Sequence, residues 1–244
     1  MSRSGAATGD GGVATRRDGA AEGGGAADVR WTVVVPVKAA RLGKTRLAGD
    51  LAPHERVELV RAMAADTVHA AARALAVVRV VVVTGDEVVA AEALATPGAV
   101  VDVVAEPFPG GLGAAVRAGI DRARGLDACT GVAVLLGDLP ALRSGDLDAA
   151  LAAAAGHPRA HVADSDGTGT TLLTVAPHVA PRPRFGAGSA AAHAAAGHVG
   201  LDVGAGSSLR QDVDVRADLD AVALLGAGPR TAAVLAAWGR LPTA

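Results

Sequence analysis

Short valine-rich runs alternate with alanine-rich stretches along most of this chain. Thr32–Val37, Val77–Thr84, Val100–Ala105 and Val132–Gly137 are apolar at consecutive positions and bounded by turn residues, the pattern of strands covered on both faces. Between them, Pro53–Leu75 reads as a long helix opening on proline, and Gly111–Arg124 and Asp146–Ala155 as shorter ones. This alternation predicts an α/β fold, a three-layer αβα sandwich on a mostly parallel, Rossmann-like sheet. After Asp164 the rhythm changes. A Gly/Thr loop leads to a strand at Thr170–Ala176, a short helix follows Phe185-Gly186-Ala187-Gly188-Ser189, and Val199–Val203 is extended. Arg216–Leu225 and Thr231–Trp238 read as closing helices. Residues 1–29 carry Gly, Ala, Asp and Arg with no apolar period. They are expected to form a disordered Gly/Ala-rich tail, leaving residues 30–244 as a single domain.

With 244 residues, 50% of them hydrophobic, the chain can bury one sizeable core. A net charge of −2 gives no sign of a polyanionic partner. The aromatic residues are Trp31, Phe108, Phe185 and Trp238, with no tyrosine, which argues against stacking single-stranded nucleic acid. The lone Cys129 excludes an internal disulfide and any multi-cysteine metal site. The N-terminal stretch has no continuous apolar segment resembling a secretory signal, and no stretch reaches the roughly 18 apolar residues of a membrane span. A cytoplasmic protein with no membrane partner is expected.

Charge changes the picture at one place. Of 23 basic residues only Lys38 and Lys44 are lysines, and both fall in the loop that leaves the first strand. A compact ammonium on a flexible stem can follow moving phosphate oxygens, where the arginine fork is more rigid. Gly43-Lys44-Thr45 matches the end of a Walker A motif, but Lys38 stands where its first glycine is needed. A looser phosphate loop, with Lys38, Lys44 and Arg46 as cationic contacts, fits better.

Further candidates follow along the chain. Asp138, in Gly137-Asp138-Leu139-Pro140, lies just past a buried strand, where α/β enzymes place ligands facing the crevice; a plain turn is the alternative. Asp212 and Asp214 flank Val213, so an extended segment directs both carboxylates to one side; otherwise Asp214 or Asp218 caps the next helix. Oxygen ligands of this kind suit Mg²⁺ carrying substrate phosphates. Gly167-Thr168-Gly169-Thr170-Thr171 and Gly186-Ala187-Gly188-Ser189 are small-residue loops, and the second opens a helix whose amides favour an anion.

In this order, the lysine loop, Gly-Asp-Leu-Pro, Gly-Thr-Gly-Thr, Phe-Gly-x-Gly-Ser and Asp-Val-Asp resemble the 2-phospholactate/phosphoenolpyruvate guanylyltransferase family of coenzyme F(420) biosynthesis. The resemblance covers about residues 30–240 and implies the nucleotidyltransferase fold of the molybdopterin enzymes. It implies that Lys38, Lys44 and Arg46 bind the triphosphate of GTP, with Leu112 and Gly113 at the nucleotide. Asp138, Asp212 and Asp214 would hold two Mg²⁺, and Lys38, Lys44 and Asp138 would be catalytic. Thr170, Gly186 and Ser189 would cradle a three-carbon acceptor phosphate, with Asp164 and Gly167 lining the site. The family often carries asparagine where this chain has Gly113 and Thr171, and the Gly-Gly-x-Ser-x-Arg loop of the molybdopterin enzymes is absent. The arginine-for-lysine bias suggests a high-GC bacterium, in which the implied acceptor is phosphoenolpyruvate, with 2-phospho-L-lactate as the alternative. Other classes of reading are a P-loop-like NTPase or kinase and a non-catalytic nucleotide-binding regulator. A homodimer, and delivery of the product to a downstream transferase, are the partners left open.

Overall fold

The computed structural model describes residues 1, 29–38 and 44–239. The strands are β1 (Trp31–Val37), β2 (Val77–Thr84), β3 (Val100–Ala105), β4 (Gly131–Leu135), β5 (Arg159–Ala163), β6 (Thr170–Val175) and β7 (Val199–Gly200). The helices are α1 (Pro53–Arg73), α2 (Glu87–Leu94), α3 (Leu112–Leu126), α4 (Ser144–Ala154), α5 (Ser189–Ala195), α6 (Arg216–Leu225) and α7 (Pro229–Ala237). The strands form one seven-stranded sheet in the order β3-β2-β1-β4-β6-β5-β7. It is parallel except that β6 runs antiparallel to both β4 and β5.

Alternation along the central strands divides the core into two layers. Val33, Val35, Val80 and Val82 pack on one side with Ala64, Val68 and Ala71 of α1. Val34, Val81 and Val83 pack on the other with Ala115, Val116 and Ile120 of α3. Each fully buried valine contributes about 1.5–3 kcal/mol, and α2 and α4 add Val89, Ala93, Leu147 and Leu151 to the first layer. Gly119 sets how closely α3 approaches: a Cβ there would lie 2.2 Å from the Val34 side chain.

Some expectations change. Val100–Ala105 is a strand, but it forms an edge and is half-exposed rather than central. The extended stretch from Val199 contributes only a two-residue strand. Two elements escape the pattern reading, α2 and β5. The first is fixed by Asp86, whose carboxylate accepts from the amides of Val88 and Val89. The second pairs on both sides, with β6 and β7. The expected tail lies almost wholly outside the described residues, as do residues 39–43 of the lysine loop. Among the described residues, no helix is long and apolar enough to cross a membrane.

Candidate active site

Three chain segments meet beyond the C-terminal ends of β1 and β4. Gly137 lets them approach, since a Cβ there would come within 2.9 Å of the Val37 side chain. Asp138 follows, and its backbone carbonyl accepts a hydrogen bond of 3.2 Å from the Val213 amide. Val213 is fully buried among Leu47, Leu59, Met63, Leu219 and Leu235. With that side chain turned inward, its two neighbours are left to face the strand end. The carboxylates of Asp138, Asp212 and Asp214 accordingly converge, each offering an oxygen within 4.8 Å of the others. The capping alternative falls to Asp218 alone. Its carboxylate accepts from the amides of Asp214 (2.6 Å) and Val215 (2.8 Å), so α6 is capped without either cluster residue.

Lys44 enters this cluster from a left-handed backbone position, φ 49°. Its ammonium donates to Asp138 Oδ2 and, at 2.8 Å, to Asp214 Oδ1. Burial works against the charged ammonium, but the Asp138 and Asp214 carboxylates outweigh it and hold its pKa above the ordinary lysine range. Arg46 reaches Asp214 at 3.6 Å and is largely exposed. Burial tends to raise the Asp214 pKa, but the Lys44 charge overrides it and holds that carboxylate below its ordinary value. Asp212 is pushed up to about 7, first by burial and then by the Asp138 charge, with Asp164 adding to it. One Asp138 oxygen, Oδ1, is buried with no partner. A carboxylate trio with one ammonium set against two of its members, and with an orphaned buried acceptor, fits a cation-binding site.

An open cavity of about 410 Å³ runs from this cluster over the ends of β1 and β4. Lys38, Lys44, Arg46, Asp138 and Asp214 line it, and so does Leu112 at the start of α3. Gly113 is exposed and does not line it; a Cβ there would meet only Arg117, at 3.5 Å.

The expected acceptor residues form a second group, also outside the cavity lining. Asp164 accepts from the amides of Thr168 (2.9 Å) and Gly169 (2.7 Å), closing the Gly-Thr loop around itself. A Cβ at Gly169 would sit 2.3 Å from that carboxylate, so any larger residue would have to displace it. The Ala190 amide donates to the Thr168 carbonyl at 3.1 Å, which stitches the start of α5 to this loop. Gly186 and Gly188 hold φ of 138° and 67°, with open space where a side chain would be. Ser189 is buried, and Gly167 sits at the turn with φ 75°.

Several residues here gave little sequence signal. Arg210 clamps the Gly-Thr loop, its guanidinium donating to the carbonyls of Ala163, Asp164 and Ser165. His193, fully buried on α5, ties the Gly-Thr segment to the stretch that precedes α5. The Arg184 amide donates to its Nε2 at 2.8 Å, so the ring proton is on Nδ1 and points to Thr170 Oγ1, 2.9 Å away. Phe185 packs edge-on against the same ring, centroids 5.0 Å apart. A histidine among alanines reads as ordinary helix surface until the strand facing it is known.

Burial, followed by the nearby His198, His161 and Arg184, pulls the His193 imidazole down to about 4. A depressed histidine favours the neutral fold, so its contribution is complete above the ordinary value near 6.5 and is lost as pH falls towards 4. The loss should reach roughly 3 kcal/mol. Thermal melting from pH 7.5 to 4 should therefore decline across that window. A His193 ring resonance titrating near pH 6.5 would contradict this.

This mostly parallel seven-stranded sheet, with Lys44 and three convergent carboxylates beyond its strand ends, is of the nucleotidyltransferase fold. A solved structure of 4-diphosphocytidyl-2C-methyl-D-erythritol synthase from Anaerococcus prevotii shares it, with TM-score 0.54 over 80% of this chain and 95% of that one, at 8% identity. Within that class, residues 31–239 match the family described as guanylyl transferase CofC like, and the chain belongs to it. A phosphoenolpyruvate guanylyltransferase of Sanguibacter keddieii is 56% identical, with 86% of each chain covered. One from Streptomyces scabiei is 48% identical, over 85% of this chain and 97% of its own.

Proposed function

We propose that this protein transfers GMP from GTP to phosphoenolpyruvate, giving enolpyruvoyl-2-diphospho-5'-guanosine and pyrophosphate in coenzyme F(420) biosynthesis. The observation carrying this reading is the family match joined to the Asp138–Asp212–Asp214 cluster with Lys44 set into it. The similar relatives are named for phosphoenolpyruvate, which favours it over 2-phospho-L-lactate as acceptor.

In this mechanism a phosphate oxygen of the acceptor attacks the α-phosphorus of GTP in line. The bond from that phosphorus to the bridging oxygen of pyrophosphate breaks. The attacking oxygen is already ionised, so no general base is required. The chain's part is positioning and charge neutralisation. Lys38, Lys44 and Arg46 bind the triphosphate, Lys44 moving from its carboxylate partners to the phosphates as they arrive. Asp138, Asp212 and Asp214 would hold two Mg²⁺, which would supply charge neutralisation. Thr170, Gly186 and Ser189 hold the acceptor, and the product passes to a downstream transferase. Residues 30–244 act as one unit in this scheme, in the cytoplasm.

The test is pyrophosphate release with GTP and each acceptor in turn. Release should require phosphoenolpyruvate; release with GTP alone would indicate an NTPase. Within this reading, Ser189→Ala removes one hydroxyl and keeps the loop amides, a modest loss of about 1–2 kcal/mol. Gly188→Val should do more harm, because φ of 67° is strained for a β-branched side chain. Both should raise KM for phosphoenolpyruvate while KM for GTP moves little. A rise in KM for GTP instead would mean this loop holds the triphosphate.

A further inference from the structure

The cavity beside the aspartate cluster is chemically divided. Lys44, Arg46, Asp138 and Asp214 form one end; the rest of the lining is apolar, with Pro36, Val37, Leu112 and Ala115 in it, apart from Lys38 and Glu106. Glu106 is the first residue after β3, its amide held by the Thr84 carbonyl at 3.1 Å. Its side chain lies beside Gly85, where a Cβ would come within 3.5 Å of Oε2. Among the described residues that carboxylate has no ion pair or side-chain hydrogen bond, although Lys38 and Lys44 line the same cavity.

A carboxylate outside the cation-binding cluster repels phosphate, so Glu106 does not suit the triphosphate. Its complement is a pair of adjacent N–H donors. Of the nucleobases, guanine presents that pair on one edge, through N1–H and the 2-amino group. Adenine sets an acceptor, N1, at the same place, and the pyrimidines offer a single donor group flanked by acceptors. The sheet order separates β3 from β4 by three strand intervals, about 14 Å at the usual spacing. Glu106 is thus set off from the cluster at the β4 end, as a base is set off from the phosphates of its own nucleotide. The apolar walls suit the faces of a purine. Gly113 offers no side chain to the base, which leaves the discrimination to Glu106.

We propose that Glu106 is the guanine-selecting residue, accepting N1–H and the 2-amino group of GTP and rejecting ATP. This rests on the guanylyltransferase reading above and names the residue responsible for its base specificity.

The experiment measures pyrophosphate release with phosphoenolpyruvate and GTP, ITP or ATP, for wild type and Glu106→Gln. ITP keeps N1–H and lacks the 2-amino group. Wild type should prefer GTP over ITP by about tenfold or more, as expected for one charge-assisted hydrogen bond. Glu106→Gln should lose about 10- to 100-fold in kcat/KM for GTP, mainly through KM. Its preference for GTP over both ITP and ATP should collapse by a similar factor, with KM for phosphoenolpyruvate little changed. Equal use of GTP and ITP by the wild type overturns the proposal, even if the variant fails to fold. So does a Glu106→Gln enzyme that keeps the wild-type preferences. A wild type that releases no pyrophosphate with GTP and phosphoenolpyruvate would instead sink the functional reading itself.

Discussion

Asp212→Asn, Asp138→Asn and Asp214→Asn should each reduce pyrophosphate release at least ~10²-fold, about 3 kcal/mol or more of transition-state stabilisation. The motivation is their convergence, with oxygens within 4.8 Å of one another. Asparagine keeps the size of the side chain and removes the charge that a hard cation requires. The three are not equivalent in the metal-free fold. Asp138 and Asp214 are paired with Lys44, whereas Asp212, partly buried like Asp138, has no ion pair among the described residues. Asp212→Asn should therefore melt no lower than wild type in EDTA, because it removes one of three crowded like charges. It should also abolish the rise in melting temperature that Mg²⁺ gives the wild type. Near-normal turnover by Asp212→Asn at saturating Mg²⁺ would refute the two-metal assignment.

How much of this was legible in the sequence differs by level. The strand–helix rhythm through β4 was readable because valine runs buried on both faces, alanine-rich helices and turn residues all agree there. It failed at α2, whose eight residues are too short and too evenly apolar to show a stripe. It failed again at β5, Arg-Ala-His-Val-Ala, which is a strand because β6 and β7 pair with it on both sides. The site shows the same division. Each aspartate was recognisable as a candidate by its local position. Their convergence depends on the Val213 amide reaching the Asp138 carbonyl, and on a hydrophobic cluster that turns Val213 inward. Those are long-range facts with no local signature. The lysines stood out as candidates for phosphate chemistry by their isolation in the composition. That Lys44 is neutralised by two of the aspartates before any nucleotide arrives could not be read from spacing. Nor could the Thr170–His193 bond, which joins a strand to a short alanine-rich helix.

Lys44→Ala should separate the two roles of that ammonium. In turnover it should lose about 1.5–3 kcal/mol, a fall of roughly 10- to 150-fold, as a charge-assisted phosphate contact is removed. Lys38→Ala removes an exposed cation with no ion pair among the described residues, so its effect should fall on nucleotide use alone. Lys44 differs because it also holds the site together. Its ammonium is nearly buried and bridges Asp138, which is largely covered, to the half-exposed Asp214. Removing it leaves three mutually repelling carboxylates whose one remaining ion pair among the described residues is with the exposed Arg46. The cost in EDTA should be about 1–3 kcal/mol, below that of a fully buried pair because Asp214 is half in water. Mg²⁺ should restore most of that stability, since it supplies the missing positive charge at the same oxygens. It should not restore turnover, because the phosphates still lack their lysine. The expected result is a Lys44→Ala protein whose melting temperature depends more steeply on Mg²⁺ than the wild type's while its activity stays low. If the variant instead melts like wild type in EDTA and gains nothing extra from Mg²⁺, the Lys44–aspartate contacts contribute nothing to the fold, and the ammonium serves the nucleotide alone.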